Sequence, residues 1–451
     1  MSEFAQMSCF RPQVKKSLEK GLAKLCAKPQ ISFSRALGKD RDTLGHLLSR
    51  EDMTNEKLLS GHIEQTIQRA KSASGQHIIA VQDTTSYNYT SHKALTGLGS
   101  LHGIGKARGL YQHNVLIMNE DSVPLGVLHQ AHWTRGGELD LPEDEKETVK
   151  WFNGLSAVNT HLCDLPKRVV LVQDREADIF DFFAAERAAN VDILLRVHEP
   201  RNMEISVNGV RGQMPTIIKN LPLVGIKETT IQEKGKILRL TLQLRAGEVT
   251  IFPPNKSPKS TAPVQKLSLV VAQETNRVDT STGDSIFDES EKASWLLVTS
   301  LPINNIQEVC QIVDFYAMRW RVETFHFTLK SGCFNVERLQ VDDIHTLVNS
   351  LTLYSIAAWQ VMALTFVVRS QPDMAVELVM NQEDILVLST VVGLSIKTVG
   401  QYVLALSSLV EFKPTKKQPY PGVKILSEAL TSFQYVVKGF RRGATKEDKP
   451  S

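Results

Sequence analysis

The chain has 451 residues, of which 52 are Lys or Arg and 49 are Asp or Glu, so its net charge is only +3. This balance permits a nucleic-acid partner without requiring one. The composition is ordinary for a globular protein with about two to four domains. The five cysteines are widely spaced and form no CxxC pair, so neither a disulfide framework nor a zinc site is indicated, which fits a reducing cytoplasm. No signal peptide is expected, because the opening MSEFAQMSCFRP has no apolar run.

The first 72 residues are predicted to form a helical domain. Val14, Leu18, Leu22 and Leu25 recur on one face of a helix, and a second helical pattern covers residues 55–72. Residues 11–50 hold ten Lys or Arg against three Asp or Glu. This excess suits a surface that faces DNA, although basic helices without such a role are common.

Short apolar runs of strand length begin at His77 and alternate in part with helices. The predicted strands cover residues 77–89, 111–119, 124–133, 168–174 and 191–198, and the predicted helices cover 143–160 and 177–189. This order indicates an α/β layer with a mixed sheet. Alternating strands then fill residues 202–300, interrupted by a Pro/Lys/Ser-rich loop at 253–263, and predict a β-rich insertion.

The remaining part of the chain is predicted to be helical. One long helix is expected over residues 304–332, and helices follow from Val341 with a break at 413–424. Residues 346–368 carry no charge and could span a bilayer, but polar residues are spread through them, so a buried core helix is favoured. We predict three domains, covering residues 1–72, 73–335 and 336–451, and no membrane partner.

A polar stripe marks the helix predicted near residue 316. Tyr316, Arg319, Glu323 and Lys330 are separated by three, four and seven residues. On a helix of 3.6 residues per turn these positions fall within roughly 60° of one another. Glu323 could bind a metal ion while the other three bind phosphates. The alternative is a solvated face with ordinary charge pairs.

Three carboxylates have the chemistry of a metal site. Asp83 and Asp174 each follow a buried apolar run, at the strand ends where α/β sheets place ligands, and Glu323 comes from the later helix. Such a set could hold two divalent cations, and oxygen ligands favour Mg²⁺ or Mn²⁺. Taken singly, each aspartate is more often a turn residue or a helix cap, and Asp174 could cap the helix that follows it.

These motifs together resemble the bacterial DDE transposases of the IS-four group. The family signature places Tyr, Arg, Glu and Lys at the spacing of the stripe, and the first two aspartates lie in DTTS and DREAD motifs, here residues 83–86 and 174–178. Further matching segments are LHQ-xx-W at 128–133, DEKE at 144–147 followed by Trp151, and WLLxT at 295–299. The resemblance covers residues 45 to 440.

The resemblance implies a ribonuclease-H-like catalytic core over residues 73–335 and cut-and-paste transposition through nicking, hairpin formation and strand transfer. It implies two Mg²⁺ or Mn²⁺ ions at the carboxylates and a homodimer that holds double-stranded DNA in the bacterial cytoplasm. It assigns the C-terminal helices to dimerisation and the N-terminal helices to DNA binding. The DNA contacts that it implies are Tyr316, Arg319, Lys330, Trp295, Arg196, Arg175 and Trp320, with Trp295 stacked on a flipped base.

Two alternative functions stay open at the level of sequence. The first is a two-metal nuclease of the same fold that does not join strands. The second is a dimerising inhibitor of transposition, because the region before Asp83 is shorter than is usual in the family. The intact carboxylates argue against an inhibitor, which has no need of a metal site.

Overall fold

The structure is a computed structural model that describes residues 2–4, 7, 9–101, 105–140, 147–198, 203–233, 235–253 and 263–447. Most of the DEKE motif and of the loop predicted at 253–263 lies outside these residues. The helices are α1 Pro12–Ala27, α2 Phe33–Leu37, α3 Arg41–Leu48, α4 Asn55–Ser72, α5 Val149–Leu162, α6 Phe180–Phe183, α7 Met214–Ile217, α8 Ile306–Ala317, α9 Trp320–Phe327, α10 Ile344–Ser370, α11 Gln382–Val392, α12 Val399–Ser408 and α13 Val423–Glu447. The strands are β1 His77–Asn88, β2 Gly99–Ser100, β3 Arg108–Asn119, β4 Pro124–Trp133, β5 Arg168–Gln173, β6 Val191–Arg196, β7 Glu204–Val207, β8 Val210–Gln213, β9 Leu223–Glu233, β10 Lys236–Ile251, β11 Gln265–Asp279 and β12 Ser294–Thr299.

The fold is α/β, with a mixed sheet and flanking helices, as the pattern of short runs predicted. The chain divides into two compact units. The helical unit comprises residues 1–75, 84–146 and 321–451, and the sheet unit comprises residues 76–83 and 147–320. The three-domain division stays a prediction.

The sheet unit combines parallel and antiparallel pairing. Residues 77–81 of β1 pair in parallel with β5, which pairs in parallel with β6. The strands β12, β11 and β10 then continue the sheet in antiparallel order. The parallel strands have almost entirely apolar, buried sequences, because a parallel strand is usually covered on both faces. The insertion predicted over residues 202–300 is rich in strands, since it contains β7 to β12.

Two details of the sheet unit differ from the sequence prediction. The strand β9 lies inside the predicted insertion, but its sequence LVGIKETTIQE mixes polar and apolar residues and does not mark a strand by itself; its long pairing with β10 makes it one. The helix predicted over residues 177–189 is shorter, since regular α-helix is present only over Phe180–Phe183.

The helical unit packs helices on the hairpin of β3 and β4. The helices α4 and α10 both pack against β4, and α1 packs against α10. Among the described residues, α10 is the one helix long and apolar enough to cross a membrane, but 78% of its most apolar window is buried inside the protein. The Trp359 indole of α10 donates a hydrogen bond to the Pro124 carbonyl at 3.0 Å. This burial accounts for its uncharged sequence.

The single long helix predicted over residues 304–332 is wrong. The chain forms α8 and α9, which are separated at Met318 and Arg319, and then a π-helical turn at Thr328–Gly332. The Met318 N–H donates to the carbonyls of Asp314, Phe315 and Tyr316, so the last turn of α8 tightens and the regular ladder ends. Lys330 has a non-helical backbone. One helical face therefore does not carry the four stripe residues.

A buried ion network fixes the start of the chain within the helical unit. The Glu3 carboxylate contacts His62 Nδ1 at 2.6 Å and Arg69 Nη1 at 2.9 Å, while His62 Nε2 accepts from the Val127 N–H. Burial alone would raise the pKa of Glu3, but the hydrogen bonds from His62 and Arg69 and the charge of Arg69 lower it to about 2. Because His62 Nε2 accepts a hydrogen bond, the ring is neutral and its Nδ1–H donates to Glu3; burial also lowers the pKa of His62. The close approach needs Gly61, since a Cβ there would lie 2.4 Å from the Glu3 carbonyl oxygen.

We expect Glu3→Gln to lower the free energy of unfolding by about 2 kcal/mol at pH 7, because it removes one charged partner from a buried network. The folded pKa of Glu3 lies near 2, against 4.5 as the ordinary value, so its stabilisation is present above pH 4.5 and is lost as the pH falls from 4.5 to 2. The difference between wild type and variant should therefore shrink over that range. Urea unfolding followed by tryptophan fluorescence measures it.

The matched control is Asp52→Asn, which breaks an exposed ion pair with Arg50 and should change stability little. A stability difference for Glu3→Gln that stays constant from pH 7 to pH 3 would contradict the assignment of the buried charge.

Candidate functional site

Asp83 and Asp174 occupy equivalent positions on neighbouring strands of the sheet unit. Val81 of β1 lies opposite Val172 of β5, and each aspartate comes two residues later along its strand. Asp174 directly follows the end of β5, as predicted, whereas β1 continues beyond Asp83 to Asn88. The parallel pairing nevertheless ends before Asp83. Because neighbouring strands lie about 4.8 Å apart, equal register brings these two carboxylates to one edge of the parallel ladder.

Asp174 is also a helix cap, as the alternative interpretation proposed. Its Oδ1 accepts a hydrogen bond from the Glu176 N–H at 2.8 Å at the start of a short 3₁₀ turn. Burial raises the pKa of Asp174, and the neighbouring Glu176 raises it further, while the charges of Arg319 and Lys150 lower it. The cap uses one carboxylate oxygen. The second oxygen keeps acceptor capacity for a cation or a donor.

Arg319 lies near both Asp83 and Asp174. Its Nη1 lies 3.6 Å from Asp83 Oδ2, with the two side chains 12% and 19% exposed, and its charge lowers the pKa of Asp174. The guanidinium carbon lies 5.5 Å from the ring centroid of Trp320, which is 55% exposed. Arg319 follows the end of α8 rather than standing within a helix. The interruption of the predicted helix is therefore the feature that places this cation.

Tyr316 joins Arg319 to two further predicted residues. The guanidinium groups of Arg196 and Arg319 lie near its phenol; burial raises the pKa of Tyr316, and the two positive charges oppose that rise. Its ring meets the Trp295 ring edge to face at 5.2 Å and 66°. Arg196 Nη2 donates to the Ser294 carbonyl at 3.1 Å, which fixes it beside β12. We call Arg196, Trp295, Tyr316 and Arg319 the arginine–aromatic cluster.

The remaining predicted residues are Arg175, Glu323 and Lys330. Arg175 is exposed in the turn after Asp174. Glu323 lies in the first turn of α9 and Lys330 in the following π turn, both in the helical unit. The Lys330 ammonium lies 5.4 Å from the ring centroid of Tyr87. Burial lowers the pKa of Lys330, and Glu337 opposes this shift.

Lys150 is a residue of the site that sequence reasoning missed. It is 8% exposed on α5, its Nζ lies 3.4 Å from Glu176 Oε2, and its charge lowers the pKa of Asp174. The available signal was its spacing. Lys150 precedes Gly154 and Val158 at intervals of four residues, so a cation occupies the buried face of an amphipathic helix.

The sheet unit offers two oxygen donors for a metal ion. Among the described residues, no three His, Cys, Asp or Glu side chains form a group that could hold a metal on its own. Mg²⁺, however, commonly takes only one or two carboxylates from a protein and completes its shell with water and substrate phosphates. Asp83 and Asp174 fit that requirement. The cations of the arginine–aromatic cluster beside them fit a phosphodiester.

Comparisons with known proteins add no family assignment, since no family model matches the chain. Among solved structures, the chain is similar to the piggyBac transposase in its synaptic complex with hairpin DNA. That match has a TM-score of 0.35 and 12% sequence identity, and covers 100% of this chain and 78% of the other. A likeness at this level carries no argument about fold or function.

Replacing Arg319 tests the charge balance of the site. We expect Arg319→Ala to reduce the free energy of unfolding by about 2 kcal/mol at pH 7, because two partly buried carboxylates lose their shared cation. Without Arg319 the pKa of Asp174 rises further, and a carboxyl group with a raised folded pKa stabilises the folded protein only once it is protonated. The deficit should shrink as the pH falls towards 4.

Urea unfolding at pH 7 and pH 4 makes this measurement. The control is Arg175→Ala, which removes an arginine from the turn that follows Asp174. Arg175 is exposed, so its removal should leave stability nearly unchanged. Equal destabilisation by Arg319→Ala at both pH values would show that the residue acts through packing rather than charge.

Proposed function

We propose that this protein is a DNA transposase of the DDE class, related to the IS-four group, that cuts and joins double-stranded DNA at the ends of a mobile element. The observation that carries the proposal is the grouping in the sheet unit. Asp83 and Asp174 share one register, and Arg319 of the arginine–aromatic cluster lies near both. Paired carboxylates beside two guanidinium groups suit phosphodiester chemistry.

Asp83, Asp174 and Glu323 are the proposed carboxylates of the reaction. Asp83 and Asp174 hold their positions through the parallel pairing of β1 and β5. Glu323 follows Arg319 by four residues, the spacing of the family signature, and completes the set in this proposal. Two Mg²⁺ or Mn²⁺ ions, when bound, would supply Lewis-acid stabilisation of the charge that develops on the attacked phosphodiester.

Arg196, Arg319 and Tyr316 are proposed to hold the DNA phosphate. Each guanidinium can offer two parallel donors to phosphate oxygens, and the phenol can offer one. The two guanidinium groups both lie near the Tyr316 phenol, since their charges lower its pKa, so the three groups occupy one small region. A phosphate bound there would exchange those contacts for stronger, charge-assisted hydrogen bonds. Lys330 is proposed as a further phosphate ligand from the helical unit.

Trp295 is proposed to hold a base outside the duplex during hairpin formation. Its ring is partly exposed and packs edge to face on Tyr316, so a phosphate ligand and a stacking surface are adjacent. Base–aromatic stacking contributes about 1–3 kcal/mol per base, enough to hold an unpaired base in place. Arg175 and the exposed Trp320 are proposed as additional DNA contacts.

The central test replaces each carboxylate in turn. We expect Asp83→Ala, Asp174→Ala and Glu323→Ala to abolish Mg²⁺-dependent cleavage of DNA that carries the ends of the element, while binding of that DNA is retained. The carboxylates act on the reacting phosphate, whereas most of the binding energy comes from cationic groups elsewhere. Cleavage assays and gel shifts on the same DNA measure the two properties.

Glu186→Ala is the control, because Glu186 is an exposed carboxylate of the same unit and has no proposed role in the reaction. Nicking by any of the three carboxylate variants removes that residue from the site. Cleavage by wild type without joined products would favour the nuclease, and DNA binding without any cleavage would favour the inhibitor. Light scattering of the same complexes gives their stoichiometry, for which two chains are expected.

The hairpin step distinguishes the role of the arginine–aromatic cluster from the role of the carboxylates. We expect Trp295→Ala and Arg319→Ala to nick DNA ends but to form hairpins about 100-fold more slowly, because a misplacement of about 1 Å can reduce a rate by that factor. Hairpin formation requires a tighter bend of the strand than nicking and depends more on positioning. Time courses on an end-labelled duplex resolve the two products, and an equal loss of both steps would contradict the separate roles.

A further inference from the structure

Five buried or partly buried polar side chains form one network on the β3–β4 hairpin of the helical unit. In the antiparallel register Gln112 lies opposite His132 and Asn114 lies opposite Gln130, so the two pairs share one face of the hairpin. Asn114 Oδ1 accepts from Gln112 Nε2 at 2.8 Å and from Gln130 Nε2 at 2.7 Å. His132 Nε2 lies 3.1 Å from Gln112 Oε1. The fifth member, His326, comes from α9.

The contact with α9 has a defined direction. Asn114 Nδ2 lies 3.0 Å from His326 Nε2, and the Asn114 oxygen is already used by two amide donors. The amide N–H therefore donates, and His326 Nε2 accepts, so the ring is neutral with its proton on Nδ1. His326 is 7% exposed, and burial lowers its pKa to about 3, in agreement with the neutral ring.

The same network also binds α10. Gln130 Nε2 donates to Ser355 Oγ at 2.8 Å, and that hydroxyl donates to the Leu351 carbonyl at 2.8 Å. The helix α9 is therefore bonded to the network through Asn114, whereas α10 is bonded to it through Gln130 and, at 3.4 Å from Ser355 Oγ, through Gln112 Nε2. This branching offers a matched control within one network.

Hydrogen bonds restrict a helix more narrowly than apolar contacts do. Val322 and Phe325 of α9 are fully buried, but apolar packing fixes the distance of a helix from its neighbours better than its rotation about its own axis. A buried hydrogen bond is strongly directional and is costly to leave unmade. The helix α9 has only eight residues, and regular α-helix continues it at neither end, because the break at Arg319 precedes it and the π turn follows it. His326 lies three residues after Glu323, one turn along the same helix.

We propose that the Asn114–His326 hydrogen bond positions α9 and thereby directs the Glu323 carboxylate for metal binding, so that His326 and Asn114 are positioning residues. This inference rests on the proposed function, because it takes Glu323 as a metal ligand. Residues that orient a ligand in this way typically change metal affinity by about 10–100-fold when they are replaced.

The test uses the full chain and Mn²⁺ alone, with binding followed by electron paramagnetic resonance. The variants are His326→Leu, His326→Gln, Asn114→Leu and, as the control on the α10 branch, Ser355→Ala. A glutamine carbonyl can accept the Asn114 N–H at about the place of Nε2, whereas leucine cannot. We expect Mn²⁺ affinity to fall about tenfold in His326→Leu and Asn114→Leu. The Mn²⁺ affinities of His326→Gln and of Ser355→Ala should both lie within about twofold of the wild-type affinity.

Thermal unfolding of each variant shows whether a lower Mn²⁺ affinity comes from a displaced Glu323 or from a less stable protein. His326→Leu and Ser355→Ala both remove a buried hydrogen bond and are expected to lose similar stability, so a difference in Mn²⁺ affinity between them supports a positioning role. Rescue by His326→Gln keeps the test decisive if His326→Leu folds poorly. Wild-type affinity in Asn114→Leu, or equal loss of affinity in Ser355→Ala, overturns the inference. Equal Mn²⁺ binding by wild type and Glu323→Ala instead overturns the metal role in the proposed function.

Discussion

The parallel pairing of β1 with β5 is the constraint on which the proposed site depends. Parallel strands align their carboxyl ends, and the register that sets Val81 opposite Val172 gives Asp83 and Asp174 the same height on the sheet. A shift of one residue would turn one aspartate to the other face. The buried apolar runs before each aspartate protect the register, because such a shift would also move their side chains. The position of the carboxylates is thus a consequence of core packing.

Charge balance is the second requirement, and it explains the cations around these strands. Two carboxylates held close together in a partly buried place repel each other. Arg319 offsets this by lying near both aspartates, and Lys150 adds a second positive charge near Asp174. The same cations suit a phosphodiester, because a group that stabilises one set of anionic oxygens can bind another. Folding and the proposed chemistry therefore use the same residues.

The helical unit contains polar groups that a purely apolar core would exclude. Glu3 with His62 and Arg69, and Asn114 with its amide and imidazole partners, are buried and hydrogen-bonded. Such groups contribute modest net stability, because their desolvation offsets much of the interaction. They are, however, strongly directional, and they fix the start of the chain and the short helix α9. Position, more than stability, is what these networks provide.

The sequence by itself determined the α/β class, the strands of the core and the order of the motifs. Buried apolar runs have one stable secondary structure in an α/β layer, and the spacing of Asp83, Asp174 and Glu323 is a property of the chain. Helix α4 and the core helix α10 also follow from local pattern, because periodicity and the absence of charge are readable without partners.

Tertiary structure decided what depends on contacts between distant residues. The break between α8 and α9 was not readable, because the sequence from 304 to 332 has a helical pattern throughout and the interruption arises where Met318 bonds to three carbonyls. The approaches of Lys150 to Asp174, of Arg196 to Tyr316 and of Asn114 to His326 each join residues far apart in the chain. Local propensity cannot encode such pairs, because their energy exists only after the sheet and helices have packed.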